Sequence, residues 1–211
     1  MVSPARATRT RKAPTERRQQ ILDRAAEIAI AHGLESVTLR AVAEPLGVQP
    51  SLVHHYFSSS EALVIAAFER AISIERTTLF ASEGAPIRRL ATMIRRVESG
   101  DAIDLARFWL NARNLSRFRP ELARAVAEQE RLDRDELVAI LQAGVAAEEF
   151  TCPDPLVACI RIFIAIDGVG AYANDLGDFA HPAFDHFVTD VAAWAIGLAP
   201  DVLRVHVEAA E

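Results

Sequence analysis

The chain is poor in the residues that mark many chemistries. Its 211 residues hold two cysteines, Cys152 and Cys159, seven apart with Pro153 and Pro155 between them. That is neither a CxxC redox spacing nor half of a zinc site, and two cysteines make a poor disulfide framework. Both read as ordinary thiols in a reducing cytoplasm. There is no HExxH, no phosphate-cradling glycine loop and no nucleophile elbow. His181 and His186 are five apart across Pro182, a poor zinc spacing, so neither metal nor cofactor is expected. The acidic pairs Asp101/Asp104 and Glu148/Glu149 read as a helix start and a solvated helix end. An enzyme reading therefore has no positive support. The first twenty residues are basic and polar without an apolar h-region, unlike a signal peptide. No run approaches the roughly 18 apolar residues of a membrane span. These absences point to a cytoplasmic protein with no membrane partner.

What is present fits a globular protein with a sizeable core: 51% of residues are hydrophobic and 25% charged. The length allows one large domain or two small ones. The net charge of -6 hides a split. Residues 1–59 carry eight basic and five acidic side chains, the remainder fifteen basic and twenty-four acidic. A polyanion would meet the front of such a molecule.

Helical periodicity runs throughout, and no strand alternation or repeat competes with it. Residues 1–13 have no apolar period and read as a flexible basic arm. Pro14 and Thr15 start a helix with Ile21, Leu22, Ala25, Ala26, Ile28 and Ala29 on one face and Gly33 as C-cap. Thr38 caps a short helix carrying Leu39, Val42, Ala43 and Leu46, ended by Gly47. Pro50 suits the first turn of a third helix reaching about Tyr56. A longer one follows from Glu61, capped by Ser58 or Ser59. Beyond the "SEGAP" junction, helices are expected at about 87–98, 101–115, 120–147 and 156–174, with a last one from about 182 to Gly197. The fold should be all-α: a flexible basic arm over 1–14, a head of three short helices over 15–60, and a body of about six longer helices over 61–211.

The stretch "LRAVAEPLGVQPSLVHHYF" is a short helix, a glycine turn and a second short helix, the helix-turn-helix pattern. Gly47 takes the left-handed turn without strain. Burying Val53, and in part Leu52, turns Gln49, Pro50, Ser51, His54 and His55 outward. Gln pairs bidentately with adenine, Ser and His reach several acceptors, and Pro or Leu meets a thymine methyl.

The segments "ILDRAAEIAIAHGLESVTL", "VAEPLGV" and "HHYFSSSEAL", spread over about residues 15–70, closely resemble the DNA-binding head of TetR-family transcriptional regulators. The resemblance implies a homodimeric repressor that binds a double-stranded DNA operator and whose C-terminal domain takes a small-molecule effector. By position, Arg40, Gln49, Pro50, Ser51, Leu52, His54 and His55 match base-reading or groove-facing positions. Thr38, Tyr56 and Ser60 match phosphate-contacting ones. Three departures stand out. His54 replaces a usual tyrosine and Ser60 a usual lysine. Pro45 removes a backbone donor late in the motif's first helix, which shortens or kinks it. Arg9, Arg11 and Lys12 of the arm are available to replace the lost phosphate charge.

In the body, the helix at 156–174 is apolar on nearly every side, so most of its surface should be buried. Gly168, Gly170 and Ala171 would admit a close neighbour. With the last helix, carrying Phe184, Phe187, Val188, Val191, Trp194 and Ala195, it resembles the family's four-helix dimer interface, formed by the helices near 156–174 and 182–197. Met93, Phe108, Trp109 and Phe163 are candidates for an apolar ligand cavity, with Asn111, Arg113 or Asp167 as its polar contacts. Asp167 inside "IFIAIDGVG" is either structural or ligand-facing. The expected effector is apolar or aromatic. A DNA-bound scaffold that recruits a protein partner without sensing a ligand is the alternative.

Overall fold

The computed structural model describes residues 13–174 and 181–210, which form α-helices and two 3-10 turns with no strand among them. The helices are α1 (Pro14–His32), α2 (Leu39–Ala43), α3 (Pro50–Tyr56), α4 (Ser60–Leu79), α5 (Pro86–Glu98), α6 (Ile103–Ser116), α7 (Pro120–Ala146), α8 (Pro155–Ala173), α9 (Phe187–Ala195) and α10 (Pro200–Glu208). The fold is all-α, as the periodicity predicts. Arg9, Arg11 and Lys12 lie outside the described residues.

The chain punctuates these helices in plain chemical terms. Six of them open on a proline: α1, α3, α5, α7, α8 and α10. At that position the missing N–H is an orphan in any case and the fixed φ suits the helix. Side-chain caps serve others: the Thr38 hydroxyl accepts from the Ala41 N–H at 3.1 Å, and the Ser59 hydroxyl from that of Ala62 at 3.0 Å. Pro45 cannot donate to the ladder, and α2 stops at Ala43 in a turn that Gly47 closes at φ +60. The shortened first helix of the motif is therefore a direct result of Pro45.

Two apolar clusters form the interior. The first unites α1–α4 with α6 and the start of α7, through Ile21, Val53, Phe57, Phe68, Phe108 and Leu122. The second joins α5, the far half of α7, α8, α9 and α10, through Leu90, Met93, Ile140, Ile162, Val188 and Leu203. The head is thus packed against α6 and α7 rather than tethered to them. α7, with 27 residues, runs through both clusters. Cys152 and Cys159 are both free and buried. Burial pushes the Cys159 thiol up to about 12, so it stays protonated and inert.

Two regions differ from the periodicity reading. Instead of one helix across 182–197, there is a 3-10 turn at Pro182–Phe184, a nine-residue α9, and the additional helix α10. Gly197 ends α9 at φ +69, where a Cβ would lie 2.4 Å from Thr151 Oγ1. Pro200 then starts a helix instead of closing the chain. Leu203 and Val207 bury one side of α10, and Arg204 grips Asp190 of α9 with bonds of 2.7 Å to both carboxylate oxygens.

The second difference is α8, whose predicted burial is not met within one chain. Ala158, Cys159, Ile162, Ala165 and Gly170 face inward, but Ile160 is 46% exposed and Ile164 66% exposed. By length and composition alone α8 would cross a membrane, although it carries Arg161 and Asp167. Here it packs on α6, α7 and α9. Gly170 serves an internal contact, since a Cβ there would come within 2.8 Å of Ala106 on α6, whereas Gly168 faces open space.

Phe68 on α4 has no exposed surface, and its ring lies 5.7 Å from that of Phe108 and 5.5 Å from that of Trp109, both on α6. Phe68→Ala should therefore cost about 3–5 kcal/mol in urea unfolding. A loss below about 1 kcal/mol would show that this ring does not bind the head to α6.

Candidate nucleic-acid interface and body cavity

The first candidate site is built on α2, the turn and α3. Val42, Ala43, Val53 and Phe57 are buried, and they fix the rotation of both short helices against α1 and α4. The guanidinium of Arg18 covers the Phe57 ring at 5.1 Å. With Val53 turned inward, Thr38, Arg40, Gln49, Pro50, Ser51, His54, His55 and Ser60 are exposed, while Leu52 and Tyr56 are half-buried. The residues named as groove-facing thus lie on α2, α3 and the segments beside them, open or half-open to solvent. Some are already engaged. His54 Nδ1 is 3.3 Å from the Phe57 carbonyl oxygen, which fixes the ring's tilt. The His55 and Tyr56 rings meet edge to face at 5.3 Å. The Thr38 hydroxyl is held as a cap but keeps its own proton to donate.

The second candidate is a cavity of about 250 Å³ in the body, bounded by α6, α7 and α8 with Leu79 of α4 and Val97 of α5. Of the seven residues proposed as ligand contacts, Trp109, Arg113, Phe163 and Asp167 line it. Met93 and Phe108 do not: both are packed out of reach in the two apolar cores, with 0% and 2% exposure. Asn111 also points elsewhere. Its side-chain oxygen accepts from the Leu34 N–H at 2.9 Å, and its amide donates to Glu35 Oε2 at 2.8 Å. It binds α6 to the corner that follows α1.

The polar part of the cavity centres on Arg113. Its Nε donates to Glu130 Oε1 of α7 at 2.8 Å, and its Nη1 lies 2.9 Å from Asp167 Oδ1 of α8. The guanidinium sits over the Trp109 ring at 5.2 Å. Burial works against this charge, but the bonds to Asp167 and Glu130 outweigh it and hold the group above its ordinary value. Asp167 is thus both a structural ion-pair partner and part of the cavity wall. Glu130, Asp133 and Arg134 of α7 complete that wall. They escape sequence reading because "ERLDRDE" has the appearance of a solvated charge run. Their one signal is spacing: positions 130, 133 and 134 share a helix face.

Next to the cavity, Arg76 of α4 donates to Asp133 Oδ1 at 2.5 Å and to both oxygens of Gln129. The Arg76 and Asp133 side chains are only 14% and 15% exposed. Burial pushes the Asp133 carboxyl above its usual range, against the pull of Arg76, with Glu130 and Glu136 adding to the rise. Among the described residues, no group of three or more His, Cys, Asp or Glu could hold a metal ion.

The geometry of the head agrees with sequence comparison. Residues 21–67 match the family model described as bacterial regulatory proteins, tetR family. The chain belongs to the TetR family. It is 29% identical over 138 residues to the HTH-type transcriptional regulator BetI of Rhizobium meliloti (strain 1021), covering 63% of this chain and 68% of that one. It is 36% identical over 90 residues to the HTH-type transcriptional repressor KstR of Mycolicibacterium smegmatis, covering 41% of this chain and 44% of that one. Among solved structures, a transcriptional regulator from Pseudomonas aeruginosa PAO1 shares the fold at TM-score 0.69, with 20% identity and coverage of 94% and 98%. A regulator from Saccharomonospora viridis in complex with choline shares it at TM-score 0.63, with 18% identity and coverage of 92% and 95%. The chain is a DNA-binding transcriptional regulator of this family.

The buried Arg76–Asp133 pair gives a pH-dependent prediction. Asp133 has a higher pKa folded than unfolded, so the folded state holds the proton more tightly and stability falls as pH rises between the two values. Arg76→Met removes the compensating charge and widens that interval. It should cost about 3–5 kcal/mol at neutral pH and less as the pH falls toward that of a protonated carboxyl. A pH-independent loss in urea titrations would mean that the pair does not carry it.

Proposed function

We propose that the chain is a homodimeric repressor that leaves a pseudo-palindromic operator when a small apolar or aromatic effector enters the body. The observation that carries this reading is the outward face of α3, held by buried Val53 and Phe57. Gln49, Ser51, His54 and His55 would read base edges with Arg40 beside them, and Pro50 and Leu52 would meet thymine methyls. Thr38, Tyr56 and Ser60 would position the head on phosphates. Residues 15–60 would thus serve as the reading head and 61–211 as sensor and dimer body. No catalytic or cofactor role is proposed, and the operator places its work in the cytoplasm.

Dimerisation is supported by the apolar face that α8 and α9 leave uncovered. Ile160 and Ile164 lie on it with Trp194, whose ring is covered at 4.3 Å by Arg161, and Phe187 extends it. A two-fold pair would set the two reading helices about 34–36 Å apart, one turn of DNA. Effector sensing is supported by the cavity, and one structural neighbour carries a small molecule, choline.

Two elements would link the cavity to the head. α4 runs from Ser60 beside α3 to Leu79 on the cavity wall. α6 places Trp109 and Arg113 on the same wall, while Asn111 between them holds Leu34 and Glu35. An effector releases DNA only through its differential affinity for the two arrangements of these helices.

Selection of the purified chain against random duplex DNA at physiological salt tests the reading. A two-fold symmetric site bound by two chains is expected. Gln49→Ala should then weaken the selected site by about 1–3 kcal/mol and leave random DNA almost unchanged. Equal losses on both would remove Gln49 from base reading. An operator complex that no effector weakens would identify a scaffold instead of a sensor.

Asn111→Ala addresses the second link. The variant should keep its affinity for an effector within about twofold while losing most of the effector's influence on operator binding. Unchanged coupling in a folded variant would leave α4 as the sole relay.

A further inference from the structure

Pro50, Ser51 and His54 of α3 share one exposed face at three- and four-residue spacing. His54 differs from the other two because one side of its ring is already engaged. Its Nδ1 lies 3.3 Å from the carbonyl oxygen of Phe57, the residue that ends α3. That carbonyl is itself held in place. The Phe57 ring is buried with the Arg18 guanidinium over it, and the Phe57 N–H donates to the Val53 carbonyl oxygen at 3.1 Å. A carbonyl oxygen only accepts, so the bond puts the ring proton on Nδ1. In the neutral imidazole Nε2 is then left with its lone pair. No hydrogen bond engages Nε2 among the described residues, and His54 is exposed.

From this tie we infer that His54 reads its base as an acceptor: the Nε2 lone pair takes a hydrogen bond from an exocyclic amino group in the major groove, adenine N6 or cytosine N4. The inference rests on the reading of α3 as the groove-facing helix. It reverses the donor role that the residue type alone suggests. Guanine N7 and O6 and thymine O4 are acceptors, and a lone pair facing them is repelled. Phosphate oxygens are acceptors too, so the same lone pair favours a base over the backbone. A hydroxyl at this position would rotate its proton to suit either kind of partner. The tied imidazole has no such freedom. Every base pair shows one amino group in the major groove, on its adenine or its cytosine. His54 therefore selects which strand carries that group, once in each half of a two-fold site.

Two measurements test this. The first is nitrogen NMR of the imidazole rings in the full chain without DNA, at about pH 8, where imidazoles are ordinarily neutral. The resonances missing from His54→Ala should report the Nδ1–H tautomer, and a majority of the Nε2–H form would overturn the inference. The second uses the selected operator. His54→Ala should relax the preference at one base pair per half-site, and the contacted strand should carry adenine or cytosine there. Replacing that base by its analogue without the amino group, purine for adenine, removes only the proposed donor. The change should weaken binding of the unmutated chain about five- to tenfold and of His54→Ala less than about twofold. Affinity for random DNA within about twofold checks that the variant is folded. Guanine or thymine at that position, or equal weakening of both proteins, would overturn the inference. So would a site at which His54→Ala relaxes nothing, although Gln49→Ala relaxing another base pair would leave the groove-facing reading of α3 standing. Selection of no site at all would remove both.

Discussion

Phe68 stands where the head meets the body, and the rest of the arrangement depends on its burial. α4 belongs to the head by its contact with α1, but its ring at position 68 is closed over by Phe108 and Trp109 of α6. The head therefore has no private core. Its orientation is set by the packing of α6 and α7, since an interior near crystal density cannot absorb a rotation of one helix without moving its neighbours. Polar bonds then fix the rotation. Asn111 holds the corner after α1, and Arg76 ties α4 to α7 through Asp133 and Gln129. A separate head on a flexible linker would have reading helices indifferent to the body.

That constraint gives α6 a double position. Trp109 and Arg113 face the cavity, Phe108 and Ala112 face the shared core, and Asn111 reaches the head. These residues occupy about one and a half turns. A displacement of α6 from the cavity side would be carried into the shared core and to Leu34 and Glu35. Coupling needs two packed arrangements of such an element, each with its own affinity for effector and DNA.

The head was readable because its determinants are local. A proline at the first helical position, a cap at Thr38 or Ser59, and left-handed glycines at 33 and 47 each act within a few residues. Their joint effect is the helix-turn-helix, whose shortened α2 follows from Pro45 alone. The cavity was only partly readable because apolar character does not say whether a side chain meets another side chain or a void. Met93 and Phe108 have the composition of cavity residues and the packing of core ones. Glu130, Asp133 and Arg134 have the composition of a solvated face and line the void. Asn111 finds its partner 77 residues away, a distance at which no spacing rule operates. At the other end, Pro200 is equally a stop and a start, and only the burial of Leu203 and Val207 decides for a helix.

α8 brings these levels together. Its residues Ala158, Ile162 and Ala165 anchor it in the second core, Phe163, Asp167 and Gly170 border the cavity, and Leu156, Val157 and Ile164 are open to solvent. An apolar helix in an isolated chain should bury nearly all of its circumference. This one has an apolar circumference because it serves three surroundings at once. Ile160 and Ile164 belong to two of them, bordering the cavity while standing exposed beside it. The rotation of α8 is pinned by Gly170 against Ala106 and by Arg113 on Asp167. A change in the Arg113–Asp167 contact would therefore bear on the helix that also carries the outer face.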